Sequence, residues 1–354
     1  MPYPVVDLHC DTIDRLVWQK LPAEFKTATG DDFYFPGDAE SPETMRELTR
    51  NHGHISLAGI GDTPWAQCFA CYIPDELSPE QALRFYRFVQ DFLAGELEKL
   101  PQVSEIRSGG EIRPAIEHGG VACIRTIENA RLFAHDPALV DELAGTGVLM
   151  ASLSWNAEGP LASGHDVEGA DVTPVGLEVM RRMERAGMVL DVSHLNDVCF
   201  DTVVRATERP FVASHSNSRA VCGHPRNLTD AQFAEIRDRG GIVGLNYCDD
   251  FLRYGGNPTF DDLSRHIDHM LELGGEDVLA LGSDFDGCDT PAFIADAAAM
   301  SSFQKLLEGR FGEELTAKIC YRNACDFFEC WERESALGRR ATACNGAAPG
   351  VHTT

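Results

Sequence analysis

Eight short apolar runs recur along the chain, separated by longer segments with helical periodicity. The runs fall at 4–9 (PVVDLH), 65–73 (WAQCFACYI), 121–127 (VACIRTI), 147–153 (GVLMASL), 187–193 (GMVLDVS), 210–214 (PFVAS), 241–246 (GIVGLN) and 277–283 (DVLALGS). Each is short, rich in β-branched residues and bounded by turn-forming residues, as expected of a buried strand. The segments between them carry helix-start signals. Ser41-Pro42 opens 42–51, with Gly53 as the stop. Ser78-Pro79-Glu80-Gln81 reads as a capping box with proline at the first helical position. Thr173-Pro174, Thr229 and Thr259 open three further helices, stopped by Gly187, Gly240 and Gly274. Strands alternating with helices imply parallel pairing through right-handed crossovers. Eight such units fit a closed (β/α)₈ barrel, a TIM barrel, better than an open doubly wound sheet. A GxGxxG fingerprint after the first run is absent, which weakens the dinucleotide-binding form of the open sheet.

A chain of 354 residues is then one elaborated barrel, expected over 1–334. The last segment, 335–354, has few large apolar residues and reads as a weakly ordered tail. Lys and Arg number 30 against 56 Asp and Glu, a formal net charge of −26. Such a chain is a poor nucleic-acid binder, because phosphate neutralisation needs clustered cations, and a poor binder of anionic membranes. No stretch of apolar residues is long enough to span a bilayer. The first residues, MPYPVVDLHCDTID, lack a basic leader, so a cytoplasmic location is expected. The 12 cysteines show no disulfide-framework spacing and are expected to be reduced. Cys68 and Cys71 form a CxxC within an apolar run. Side chains three apart on a strand face opposite ways, so the pair is read as structural.

The chemistry sits where the apolar runs end. His9 and Asp11 close the first run, Glu128 follows the third, His194 the fifth, His215 the sixth and Asp284 the eighth. In a barrel these ends meet at one rim, where such folds keep their active sites. Imidazoles and carboxylates together suit zinc or a similar divalent ion, and a carboxylate can serve two ions at once. Asp7 and Asp191, inside their runs, are read as core polar groups satisfied by hydrogen bonds. The remaining histidines lack such support. His52 and His54 flank a turn and are expected to be solvated, His118 and His135 lie in loops, and His266 and His269 are expected to face water on an amphipathic helix.

These residues resemble a known family. DLHCDT at 7–12, TIENARLF at 126–133, LDVSH at 190–194, ASHSNSRAVCGHPRNLTD at 213–230 and GSDFDG at 282–287 are similar to the membrane dipeptidase (renal dipeptidase) family of zinc peptidases, family M19, in its bacterial form. The similarity runs in order over about 3–330. The SHSN…RN and GSDFDG motifs are specific, whereas HxD is common to many metal-dependent amidohydrolases. The resemblance implies a site for two Zn²⁺ ions, with His9 and Asp11 on one, His194 and His215 on the other, and Glu128 bridging. It implies that Arg226 grips the substrate's terminal carboxylate, a role suited to guanidinium. It also implies that Asp284 shuttles the proton while a bridging hydroxide attacks the peptide bond of a free dipeptide. Tolerance of a D-residue at the C-terminal side and a homodimeric state are further implications. Asp286 is read as a supporting or structural group.

One position departs from the mammalian pattern. Trp155 of LSWN stands where those members carry a histidine that binds substrate. Trp155 is therefore read as a pocket residue, and the lost role would pass to its N–H, to His165 or to a metal. Two other readings share parts of this pattern. One is a different two-metal amidohydrolase, a lactonase or N-acyl amino acid hydrolase. The other is a decayed barrel used for binding, which the intact set of ligand-type residues disfavours.

Overall fold

The computed structural model describes residues 2–29 and 47–345. Among the described residues there are eight strands: β1 (Val5–Cys10), β2 (Trp65–Tyr72), β3 (Val103–Ile106), β4 (Val121–Glu128), β5 (Val148–Ser152), β6 (Val189–Asp191), β7 (Val243–Leu245) and β8 (Leu279–Leu281). Every ladder is parallel, in the order β6-β5-β4-β2-β1-β8-β7. The ring closes through single bridges, Asp191 to Val212 and Ala213 to Val243. The eighth stave is thus the 210–214 run, which pairs on both sides without forming a full strand. Pro210 has no N–H to give, and the Ser214 N–H goes to the Asp191 carboxylate at 2.9 Å.

β3 has no counterpart among the eight apolar runs. It is short and alternates with polar Ser104 and Glu105. It pairs with the first half of β4, Val103 to Val121 through Ile106 to Ile124, while β5 pairs with the second half. β6 and β8 are shorter than their apolar runs because side-chain carboxylates take over the pairing at their ends, while after β7 the Asn246 N–H goes to Asn217 Oδ1 at 3.2 Å. Ser193 N donates to Asp191 and Ser283 N to Asp7, at 2.9 and 2.8 Å.

The helix-start signals at Ser78, Thr173, Thr229 and Thr259 cap helices Pro79–Leu97, Pro174–Ala186, Asp230–Asp238 and Phe260–Glu272. The proposed start at Ser41 and residues 42–46 lie outside the described residues, and residues 47–51 are bends, not helix. The last helix runs Asn323–Asn345, past residue 335, where the sequence suggests a tail. Alanine and arginine, both good helix formers, are frequent there. Phe327, Phe328 and Trp331 of this helix close the lower end of the barrel against Val6, Leu8, Cys68, Ile124, Met150 and Val189. The opposite, C-terminal rim is left to polar groups. Cys68 belongs to that inner cluster and Cys71 to the outer core, so the CxxC thiols do face opposite ways.

Candidate metal centre and catalytic cleft

Glu128 ends β4 and occupies the centre of the rim, 4% exposed. Its Oε2 lies 3.5 Å from His9 Nε2, and its Oε1 lies 2.7 Å from His194 Nε2 and 3.8 Å from His215 Nε2. His9 Nε2 is 3.3 Å from Asp11 Oδ2. Two donor sets therefore meet at one carboxylate, His9–Asp11–Glu128 and Glu128–His194–His215. A third grouping brings His9 and His215 together with Asp284.

Local backbone devices aim these groups. Strict alternation would put His9 on the same side as Asp7, which faces Ser283. A β-bulge between Asp7 and Cys10 adds one residue to β1, so Cys10 pairs with Phe69 and the His9 ring reaches Glu128. His194 and Asp284 each lie three residues past a strand with left-handed backbone, φ of 72° and 61°. Such strained conformations persist only where the surroundings hold them.

Hydrogen bonds fix which imidazole nitrogen is free. His194 Nδ1 lies 2.8 Å from Asn156 Oδ1, so it donates there and leaves Nε2 with its lone pair. His215 Nδ1 lies 2.7 Å from Ser214 Oγ, and that hydroxyl donates to Asp191 at 2.5 Å. The serine must then accept from Nδ1–H, again freeing Nε2. Imidazoles supported through their second nitrogen are the usual arrangement of metal-ligating histidines. Burial and the Arg226 charge hold His194 and His215 well below the ordinary histidine range, so both are neutral. Burial lowers His9 as well, but the Asp11 and Glu128 carboxylates outweigh it and raise its pKa. Burial and Asp11 push Glu128 up to about 8. His9 Nε2 and Asp11 Oδ1 are buried without a hydrogen-bond partner. Converging lone pairs, orphaned polar atoms and crowded carboxylates fit divalent cations bound at Nε2 and carboxylate oxygens.

The cleft above these donors has a volume of about 260 Å³. Asp11, Glu128, His194 and Asp284 line it beside Trp155, Tyr72 and Phe251. Asp284 Oδ1 stands 3.9 Å from His9 Nε2, and Oδ2 accepts from Asn246 at 2.9 Å. Burial raises the Asp284 pKa. Trp155 packs on Tyr72 with ring centroids 5.0 Å apart and stands 6.3 Å from His194. Arg226 is 4% exposed and lies in a narrow recess that His194 also lines, outside the main cleft. Its guanidinium donates to Ser216 Oγ and the His215 carbonyl, both at 2.9 Å, while Nε has no partner. His165 stands 6.2 Å ring to ring from His194, with Nδ1 buried and unpartnered.

Several groups escape a reading of the sequence alone. Asn156, Ser214 and Asn246 act through neighbours on other staves. Gly287 passes so close to the site that a Cβ there would stand 2.1 Å from Asp11 Oδ2 and 2.5 Å from Asp284 Oδ1. Asp75 receives Ala157 N at 3.1 Å and Asn129 Nδ2 at 2.9 Å, pinning the loop that carries Trp155 and Asn156. Asp286 is structural: it accepts from Thr12 Oγ1 at 2.6 Å, His54 N at 2.8 Å and Ile55 N at 3.3 Å. His54 is half-buried, and its Nδ1 accepts the Asp286 N–H at 2.9 Å. His266 also differs from expectation. It is fully buried, accepting from Ser218 N at 3.1 Å while Nε2 faces the Leu252 carbonyl at 3.1 Å. His269 is partly exposed and pairs with Asp230 at 2.8 Å. Asp7 and Asp191 are core carboxylates clasped by Ser283 and Ser214.

A parallel barrel with His and carboxylate donors converging at its C-terminal rim has the layout of a metal-dependent hydrolase. The sequence model of the family described as "Membrane dipeptidase (Peptidase family M19)" matches residues 2–336, and the chain belongs to this family of metallo-dipeptidases. Among solved structures it is similar to a metallopeptidase described as dipeptidase AC of family M19, with 28% identity, a TM-score of 0.80 and coverage of 94% of this chain and 99% of that one. A metallopeptidase from Rhodobacter sphaeroides, liganded with a phosphinate mimic of the dipeptide L-Ala-D-Ala, is 27% identical with a TM-score of 0.79 over 93% of this chain and 99% of that one. An uncharacterized Klebsiella pneumoniae protein in the pqqA 5′ region is 34% identical over 229 residues, 61% of this chain and 84% of that protein. Among the described residues no helix is long and apolar enough to cross a membrane.

Proposed function

We propose that this chain is a cytoplasmic zinc dipeptidase that binds two ions per chain and hydrolyses free dipeptides. The observation that carries the reading is Glu128, whose two oxygens face separate donor sets. His9 and Asp11 would hold one ion, His194 and His215 the other, with Glu128 between them. Zinc bound there would acidify a water to a nucleophile near neutral pH and polarise the scissile carbonyl. Asp284, whose pKa burial raises, receives the proton of the attacking water and returns it to the leaving amine. Asn246 orients that carboxylate. Arg226, a buried cation with an unpartnered Nε in the recess that shares His194 with the cleft, anchors the substrate's terminal carboxylate, and Trp155 walls the pocket beside the scissile bond. Such an anchor selects short peptides, because a long chain has no carboxylate at that distance. The Rhodobacter relative's L-Ala-D-Ala mimic supports acceptance of a D-residue at the C-terminal side.

The test combines metal analysis with a substrate panel on zinc-loaded protein. Two zinc ions per chain and cleavage of unblocked L,L- and L,D-dipeptides, with no cleavage of C-terminally amidated ones, are the expected results. A single ion with all five ligands intact would overturn the two-metal reading. Preference for lactones or N-acyl amino acids over every dipeptide would overturn the substrate.

A further inference from the structure

Two thiols on the cleft wall play no part in this mechanism. Cys248 follows β7 and Cys288 follows β8, and both line the 260 Å³ cleft with Asp284 and Gly287. Both are half-buried. Their loops are stitched together one residue further on, where Asp249 N donates to the Asp289 carbonyl at 3.1 Å. Cys248 and Cys288 are neighbours across this seam, and Cys288 Sγ donates to the Asp284 carbonyl at 3.3 Å. Cys10, Cys68, Cys71, Cys123, Cys199, Cys222, Cys320 and Cys325 are buried, and Cys330 is exposed on the helix at the opposite end of the barrel.

We propose that Cys248 and Cys288 form a reversible dithiol–disulfide modification site on the cleft wall, oxidised by small-molecule disulfides of the glutathione type. The Cys248 thiol attacks one sulfur of the oxidant, making a mixed disulfide and releasing one thiol, which carries away the proton. Cys288 then attacks the Cys248 sulfur, closes the intramolecular disulfide and releases the second thiol. Two cysteines lose two electrons and the oxidant gains them.

The consequence reaches the site through the turn that carries Asp284. Oxidation removes the Cys288 S–H from the Asp284 carbonyl. It also pulls on a segment in which Asp284 and Asp286 already have positive φ and Gly287 touches both Asp11 and Asp284. Turnover therefore falls when the disulfide closes. That activity effect rests on the dipeptidase reading, whereas formation of the bond does not.

The experiment uses the zinc-loaded Cys330→Ser, Cys344→Ser protein, which removes the exposed Cys330 thiol and the Cys344 thiol, treated with oxidised glutathione. Peptide mapping is expected to show a Cys248–Cys288 cross-link, and dipeptide turnover to fall about tenfold or more, given the sensitivity of catalysis to small displacements. Dithiothreitol is expected to restore it. Cys288→Ser, or Cys288→Ala where the serine variant folds poorly, is expected to stop at a single glutathionyl adduct on Cys248. Absence of the cross-link while the oxidant modifies Cys248 in wild-type protein would overturn the proposal. A cross-link with unchanged turnover would overturn its coupling to the cleft. Should the protein hydrolyse no dipeptide at all, the cross-link still tests the modification site on its own.

Discussion

At the residue scale, the site is a set of groups whose usual protonation behaviour is set aside by burial. Asp284 and Arg226 divide the work between chemistry and binding, so their substitutions should separate. Asp284→Asn keeps the bond to Asn246 within reach but abolishes the proton carrier. The expected loss in kcat is about 10²–10⁴-fold with zinc content retained, read by steady-state kinetics and metal analysis. Arg226→Ala is expected to raise KM for dipeptides far more than it lowers kcat. Gly287 makes a sharper case, because the obstacle is a single methyl group placed against two carboxylates. Gly287→Ala is expected to lower zinc affinity about 10–100-fold with the fold intact by circular dichroism. The carboxylates and imidazoles were legible in the sequence because each follows an apolar run. Asn156, Ser214 and Gly287 were not, since their roles depend on which staves become neighbours. His54 and His266 sit in polar surroundings in the sequence. The half-burial of His54 and the full burial of His266 follow from contacts with Asp286 and with Ser218 and Leu252, each distant along the chain.

At the scale of elements, strand ends and the turns after them do the positioning. The turn after β8 binds the start of the first helix and the 54–55 segment through Asp286, with Arg15 3.4 Å away. Removing that carboxylate leaves the Thr12 hydroxyl and the His54 and Ile55 N–H groups without their shared acceptor. Asp286→Ala is expected to cost about 2–4 kcal/mol in chemical denaturation. The capping signals of four helices were readable because caps are local. The strand lengths were not, since Asp7 and Asp191 divert backbone N–H groups from the ladder only once the neighbouring staves are in place. β3 was hidden for a related reason: its four residues are held by half of a partner strand and carry too little apolar signal alone.

For the whole molecule, metal binding and folding are coupled through the rim. In metal-free protein Glu128 keeps its proton up to about pH 8, while its unfolded value is near 4.5. The folded state then holds the extra proton, so its stabilising contribution is lost as pH rises through about 8. His9 acts in the same sense. His194 and His215 stay neutral when folded, and their opposing contribution changes only below about 6.5. Metal-free protein should therefore lose stability between about pH 6.5 and 8, and saturating zinc should remove that decline. Thermal melts of chelated and zinc-loaded protein across this range provide the measurement.

The pairing of Asp7 with Leu281 joins residues 274 positions apart, and it is where β1 meets β8. While the chain is being made, β1 waits for the 274 residues up to Leu281 to emerge before it gains its second neighbour. His9 and Asp11 thus meet Asp284 only at the end of synthesis. A ribosome-bound chain would present the His9 end of the site without its far wall, and contacts this distant in sequence are slow to form. Assembly of the rim is therefore timed by the emergence of β8, the last stave to be made.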